Sequence, residues 1–240
     1  PADVPALVQS LCGWLRDEFR YSEQRFGDAI IQAIVTHVYI EWIHPFDDGN
    51  GRTGRLVEFY ILLRAGLPSI ASNLLANHYN QARSEYYRQL HVAKQQRDLT
   101  GFIEFAVGGL RDGLRATLNT VQQNALEQMW RVLVYDTFGE RTIKNRAVFR
   151  RQMAVALALP LDRPIRFDEV SDLSDELDTA YSEASQRTVL RDLAELERLN
   201  LLIREPGLVR ANRSLLDGAI PRKLRRALRP SASTSKRPPA

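Results

Sequence analysis

HPFDDGNGRTGR, residues 44–55, decides how this chain is read. One histidine, two aspartates, three glycines and two arginines share these positions. The stretch is too polar for a core segment and too patterned for a casual loop. Gly49-Asn50-Gly51 can take backbone angles that other residues avoid. Successive amides in such a turn point inward and make an anion nest. The turn opens onto a helix, whose free N–H groups and dipole favour a phosphate at that end. Arg52 and Arg55 lie three apart, on one helix face in the first turn. Cations are normally unfavourable there, so the pair fits a polyanion held between them.

The acids and the base complete the pattern. Asp48 precedes the glycines and lies within reach of the same phosphates. A carboxylate beside a phosphate needs a bridging cation, the usual role of Mg²⁺. His44 ends the preceding apolar stretch, and its ordinary pKa of ~6.5 suits proton abstraction from a hydroxyl at neutral pH. Phe46 is expected to plug into the core and fix the loop's shape, and Asp47 to face solvent. An anion cradle with a metal ligand and a base at its lip is equipment for phosphoryl or nucleotidyl transfer.

The first half around this stretch reads as helices. VPALVQSLCGWLRDEF has the spacing of an amphipathic helix. A second helix spans roughly Phe26 to Ile43 and is apolar on nearly all sides, so it should run through the middle of its domain. A third starts near Gly51 and stops at Gly66-Leu67-Pro68. Two more are expected, Asn77 to about Lys94 and Thr100 to about Asn124. In the second half AVFRRQMAVALAL is a helix, and SQRTVLRDLAELERLNLL is another, with Ser185 as N-cap. PIRFDEV is a short strand or a helix entry. LLIREPGLVRAN reads as two strands about Glu205-Pro206-Gly207. Helices followed by a two-stranded wing give the order of a winged helix-turn-helix. RPSASTSKRPPA has the composition of a disordered tail.

Composition narrows the class. Hydrophobic residues make up 44% of the 240, enough for a core. The single cysteine, Cys12, excludes a disulfide framework within the chain and points to a reducing compartment. AIIQAIVTHVYIEWI is broken by Gln32, Thr36, His37 and Glu41, so it reads as a buried helix and not a membrane span. Residues 141–240 carry 20 Lys+Arg against 13 Asp+Glu, while the remainder carries 13 against 16. The basic excess suggests an acidic partner for the C-terminal part, or simply a solvated tail.

At residues 44–55 the chain resembles the Fic (filamentation induced by cAMP) family, whose motif is H-P-F-x-[D/E]-G-N-G-R-x-x-R. Every fixed position is met. Glu41 ahead of Ile43-His44, SEYYRQL and DLTGFIEFAVGGL extend the likeness over about residues 1–120. The resemblance implies adenylyl transfer, in which a hydroxyl of a target protein, or of the enzyme itself, attacks the α-phosphate of ATP. It makes His44 the general base and Asp48 the ligand of Mg²⁺, with Mn²⁺ as a substitute. Asn50 and the amides of Gly49, Gly51 and Arg52 would receive phosphate oxygens. Arg52 would hold the β-phosphate and Arg55 the γ-phosphate. Tyr86 and Tyr87 fall where the family lines its adenine pocket with aromatics, though a core role is equally open for them. Lys94 stands near a position where some members carry asparagine. The family's phosphotransferring branch has Lys for the second glycine, and this chain keeps Gly51, which favours AMP transfer.

The family's inhibitory pattern, [S/T]-x-x-x-E-[G/N], is absent from the sequence. The inhibitory element and the target-binding flap are expected upstream of Pro1, or the inhibitor on a partner.

The overall expectation is a mainly α protein, a Fic-type helical bundle followed by a winged helix-turn-helix domain. The expected parts are a catalytic domain at 1–124, a linker helix at 125–140, the winged helix at 141–230 and a disordered tail at 231–240. It is read as a cytoplasmic, bacterial-type protein adenylyltransferase. The alternatives are a DNA-binding regulator with a nucleotide-sensing domain, and an enzyme that moves another phosphate-containing group or removes AMP. Expected partners are a protein bearing a Ser, Thr or Tyr hydroxyl, DNA through 141–230, and a second copy in a homodimer. Arg187, Arg191 and Arg198 are the DNA candidates, diluted by Asp192, Glu195 and Glu197. His37, His78 and His91 read as packed or surface histidines, Cys12 as structural, and Trp14, Trp42 and Trp130 as core.

Overall fold

The computed structural model describes residues 3–19, 25–142, 145–182 and 184–216. The expected tail at 231–240 lies outside them. The described chain is mainly helical and divides into two units, residues 1–119 and 120–240. No helix among the described residues is long and apolar enough to cross a membrane.

In the first unit α1 (Val4–Gly13) carries Pro5 in its first turn, where the missing N–H costs nothing. It continues as one π-helical turn, Trp14–Glu18, that ends where Phe19 becomes extended. Cys12 is exposed, so the expected structural role is corrected. α2 (Arg25–Ile43) buries Ala29, Gln32, Ala33, Ile34, Thr36, His37, Val38 and Ile40, which surround most of its circumference. α3 (Asn50–Arg64) packs along it.

Gly66-Leu67-Pro68 ends α3 as its composition predicts. Gly66 sits at φ +99°, Leu67 N–H donates to Leu62 C=O at 3.1 Å, and Gly66 N–H to Leu63 C=O at 3.0 Å. This is a Schellman closure, with proline blocking continuation.

The helix expected from Asn77 to Lys94 is two, α5 (Leu74–Gln81) and α6 (Arg83–Gln96), after a short α4 (Ser69–Ser72). The break falls at Ala82, whose φ −103°, ψ +42° leaves the helical region. No glycine or proline marks it in the sequence. Ala33, Ile34, Leu62, Leu75, Tyr79, Tyr86, Phe102 and Ala106 form the centre of the core.

α7 runs from Thr100 to Gly139, past the expected end at Asn124. Its residues 100–119 belong to the first unit. The stretch 125–140, expected as a linker helix, places Leu126, Trp130, Val134 and Phe138 in the core of the second. Trp130 Nε1 donates to Ala156 C=O at 2.8 Å. Trp14 and Trp42, read as core, are only half-buried.

In the second unit α8 (Arg146–Ala158) is capped by Asn145, whose side chain accepts from Ala147 N–H at 3.0 Å and Val148 N–H at 3.2 Å. β1 (Ile165–Arg166), α9 (Asp175–Tyr181), α10 (Gln186–Arg198), β2 (Leu202–Glu205) and β3 (Leu208–Ala211) follow. The strands form one antiparallel sheet in the order β1-β3-β2. Pro206-Gly207 makes a two-residue hairpin turn, with Glu205 opposite Leu208 and Gly207 at φ +77°. Ser185 holds the N-cap position of α10, but its hydroxyl faces Thr188 at 3.5 Å and makes no capping bond.

Asp192 ties this unit together. It is 2% exposed, and its carboxylate accepts from Arg151 Nε at 2.5 Å, Gln152 Nε2 at 2.9 Å and Tyr181 O–H at 3.0 Å. Donors from α8 and α9 thus converge on α10. Removing a buried partner of this kind leaves the others unsatisfied. Asp192→Ala should lower the stability of the second unit by about 3 kcal/mol, read as a shift of its thermal transition. A shift no larger than that of an exposed Glu176→Ala control would refute the staple.

Candidate functional site

The last turn of α2 delivers His44 to the surface in a left-handed conformation, φ +54°, with its N–H on Ile40 C=O at 3.0 Å. A non-glycine residue there carries strain of order 1 kcal/mol that its surroundings must hold, a condition concentrated at functional sites. The loop 45–48 follows, and Gly49 at φ +92° turns the chain into α3. Thr53 N–H bonds Gly49 C=O at 2.9 Å. The amides of Asn50, Gly51 and Arg52 stand ahead of it in the first turn, where a helix has no acceptor for them.

The expectation that Phe46 plugs the core is corrected, since the residue is 49% exposed. The loop is shaped instead by Asn50, which is 3% exposed. Its side-chain oxygen accepts from Phe46 N–H at 2.9 Å, and its amide nitrogen donates to Phe46 C=O at 2.6 Å. The N–H and the C=O of one residue are thereby both engaged, which an apolar plug could not do. Asp47 and Asp48 are exposed.

Arg52 and Asp48 pair at 2.5 Å, with side chains 72% and 89% exposed. A pair so open to water contributes at most about 1 kcal/mol, so an anion with its own cation can separate it. Arg55 points the other way, half-buried. A Cβ built on Gly51 would fall 2.7 Å from Glu41 Oε1 and 3.2 Å from an Arg55 terminal nitrogen. Among the described residues no three His, Cys, Asp or Glu side chains converge as a metal nest.

Beneath the surface lies a polar network that sequence reading missed. Tyr86 is 3% exposed, in the core, and offers no open ring face; Tyr87 beside it is 55% exposed. Tyr86 O–H donates to Glu41 Oε1 at 3.2 Å and lies 2.9 Å from His37 Nε2. Since a carboxylate only accepts, the phenol gives its proton to Glu41 and receives the Nε2 hydrogen. Tyr79 O–H donates to Glu58 Oε1 at 2.9 Å. Burial, and then the charge of Arg55, lowers the pKa of His37 to about 4. Burial raises that of Glu58 to about 8, against the Tyr79 hydrogen bond and Arg55. Both are neutral near pH 7. One signal was available: Glu58 is the lone charge in LVEFYILL. Lys94 and His91 are exposed on α6.

Residues 1–62 match the Fic/DOC family. The chain is also similar to proteins named protein adenylyltransferase. It is 34% identical over 105 residues to fic-1 of Caenorhabditis elegans, covering 44% of this chain and 18% of that protein. With Fic of Drosophila willistoni the identity is 35% over 105 residues, 44% of this chain and 19% of the relative. With Fic of Culex quinquefasciatus it is 36% over 106 residues, again 44% and 19%. The chain thus spans about a fifth of the length of these relatives.

Gly54 lies against the His37 ring, and a Cβ there would meet Nδ1 at 2.9 Å. His37 is fully buried and cannot yield. Gly54→Ala should therefore cost about 1–3 kcal/mol by overpacking, although alanine is the better helix former. An unchanged or raised melting temperature would contradict this.

The folded pKa of Glu58 is raised, so its stability contribution is complete below about 4.5 and is lost as pH rises through 8. That of His37 is lowered, so its contribution is complete above 6.5 and is lost as pH falls through 4. The slopes oppose each other between 4.5 and 6.5, and above 6.5 only Glu58 acts. Stability should fall by roughly 2 kcal/mol from pH 6.5 to 8, and Glu58→Gln should remove that fall. Parallel profiles for the two proteins would exclude Glu58 as its source.

Proposed function

We propose that this chain carries a protein adenylyltransferase site, which moves AMP from ATP to a Ser, Thr or Tyr hydroxyl of a target protein or of itself. The observation that carries the reading is the union of a strained His44 with the open α3 N-terminus across one clasped loop. His44 takes the proton of the attacking hydroxyl. The amides of Gly49, Asn50, Gly51 and Arg52 receive phosphate oxygens at the positive end of the helix dipole. Asn50 already holds the loop with both ends of its side chain, so its main contribution is the shape of the cradle. Asp48 would hold Mg²⁺ carried by the nucleotide, or Mn²⁺ in its place, and the ion would offset phosphate charge there. Arg52 then turns to the β-phosphate and Arg55 to the γ-phosphate, which leaves as pyrophosphate with the β. Tyr87 is the member of its pair with a ring open to an adenine.

The names of the similar proteins support this group and this direction of transfer. ATP labelled at the α-phosphate should leave label on protein, and ATP labelled at the γ-phosphate should not. His44→Ala should reduce transfer by at least about 100-fold, the lower range for loss of a general base. Transfer of γ-label would instead mean phosphotransfer. Binding of ATP without any transfer would favour a nucleotide sensor.

For the second unit the element order and the sheet β1-β3-β2 support a winged helix, with α10 as its exposed helix. Asp192 is buried, and Glu195 and Glu197 are engaged by Arg141 and Arg198, and by Arg204. The acids that seemed to dilute α10 are thus already neutralised. Arg187 and Arg191 are exposed, with no carboxylate partner among the described residues. DNA binding is the second reading. Replacing both arginines by alanine in the full chain should weaken binding to duplex DNA and reduce the salt slope by about 2. An unchanged slope, or no binding by the parent chain, would favour a protein partner or a second copy.

A further inference from the structure

Glu41 lies on α2, outside the cradle, and is committed from two sides. Tyr86 O–H holds its Oε1 at 3.2 Å, and Tyr86 is itself fixed by His37 Nε2 at 2.9 Å and by core packing. On its far side the same oxygen fills the space that a side chain at Gly51 would need, 2.7 Å from that Cβ position, while the Arg55 guanidinium closes in to 3.2 Å of the same point. Burial, then the charge of Glu41, raises the Tyr86 pKa, so the phenol remains the donor. The carboxylate therefore meets the first turn of α3 at the one residue small enough to admit it. There it faces a cation that has no ion-pair partner among the described residues.

We propose that Glu41 is a positioning residue: tethered by Tyr86, its carboxylate holds the first turn of α3 and the Arg55 guanidinium in the arrangement that receives a polyphosphate. This rests on the nucleotide reading above for the identity of the anion, but the arrangement of Arg55 is a property of the protein alone. The line His37–Tyr86–Glu41 thus couples the buried middle of α2 to the anion cradle. Tyr79 and Glu58 form a second buried pair of the same kind, and the atoms nearest the Gly51 Cβ position are those of Glu41 and Arg55, not of this pair. Two tyrosines in one core, each losing a single hydroxyl, can therefore be compared.

Three variants of the full chain test the proposal: Tyr86→Phe, Glu41→Gln and Tyr79→Phe. Affinity for Mg-ATP is measured by calorimetry, stability by thermal unfolding, and the Arg55 Nε–H signal by NMR without nucleotide, assigned with Arg55→Lys. Tyr86→Phe and Glu41→Gln should each weaken Mg-ATP binding about fivefold, or ~1 kcal/mol, and move the Arg55 signal. Tyr79→Phe should lose at least as much stability as Tyr86→Phe, since it strands a buried carboxyl, yet leave affinity within twofold and the Arg55 signal in place. Unchanged affinity in the first two variants overturns the proposal. So does tighter binding by Glu41→Gln, which would mean that the carboxylate only repels the anion. Equal losses for the two tyrosine variants would reduce Tyr86 to a stability role. Failure of the wild-type chain to bind Mg-ATP overturns the nucleotide reading alone; the Arg55 signal then decides the positioning role by itself.

Discussion

The close approach of α2 and α3 governs the first unit. At Gly51 and Gly54 the space for a side chain is occupied by groups of α2, the Glu41 carboxylate and the His37 ring. Two helices this close can share hydrogen-bonding groups in their seam. They also fix where one ends and the next begins. His44 at the exit of α2 and the first-turn amides at the entrance of α3 are then separated by a loop that Asn50 clasps. The site follows from helix packing rather than from a mobile loop.

Charge is sorted by depth around this seam. The deep groups, His37 and Glu58, are kept neutral by burial. The surface groups, Asp48 and Arg52, are charged and bound to each other only as exposed ions are, in high dielectric and at low cost to separate. Arg55 lies between the layers and has no carboxylate in ion-pair reach among the described residues. On the proposed reading, an incoming polyphosphate would meet a cation already in place and another that is easily released. Nothing buried must change protonation near pH 7.

Much of this was legible in the residues. The glycine turn, the start of α3 and its Schellman stop are written in local backbone chemistry, and local rules suffice for them. The hairpin at Pro206-Gly207 is of the same kind. What depended on tertiary contact was not legible. Phe46 looked like a plug because it is apolar, yet the loop is held through polar backbone groups by Asn50. Tyr86 could equally have been core or pocket, and only its burial decides. The break at Ala82 and the continuation of α7 beyond Asn124 carry no breaker or stop residue. Cys12 lies on a helix with no fully buried residue, so its apolar neighbours misled. The acids of α10 seemed only to dilute its arginines, but Asp192 is buried and accepts from Arg151, Gln152 and Tyr181.

We propose above all that the N-terminal turn of α3 receives a polyphosphate. The most direct measurement is a titration of the ¹⁵N-labelled chain with Mg-ATP, following backbone amides. The account predicts that Gly49, Asn50, Gly51 and Arg52 shift first and most, together and with a single affinity, while amides of α10 stay in place. Saturation that leaves those four signals unmoved, or moves chiefly another part of the molecule, would contradict it.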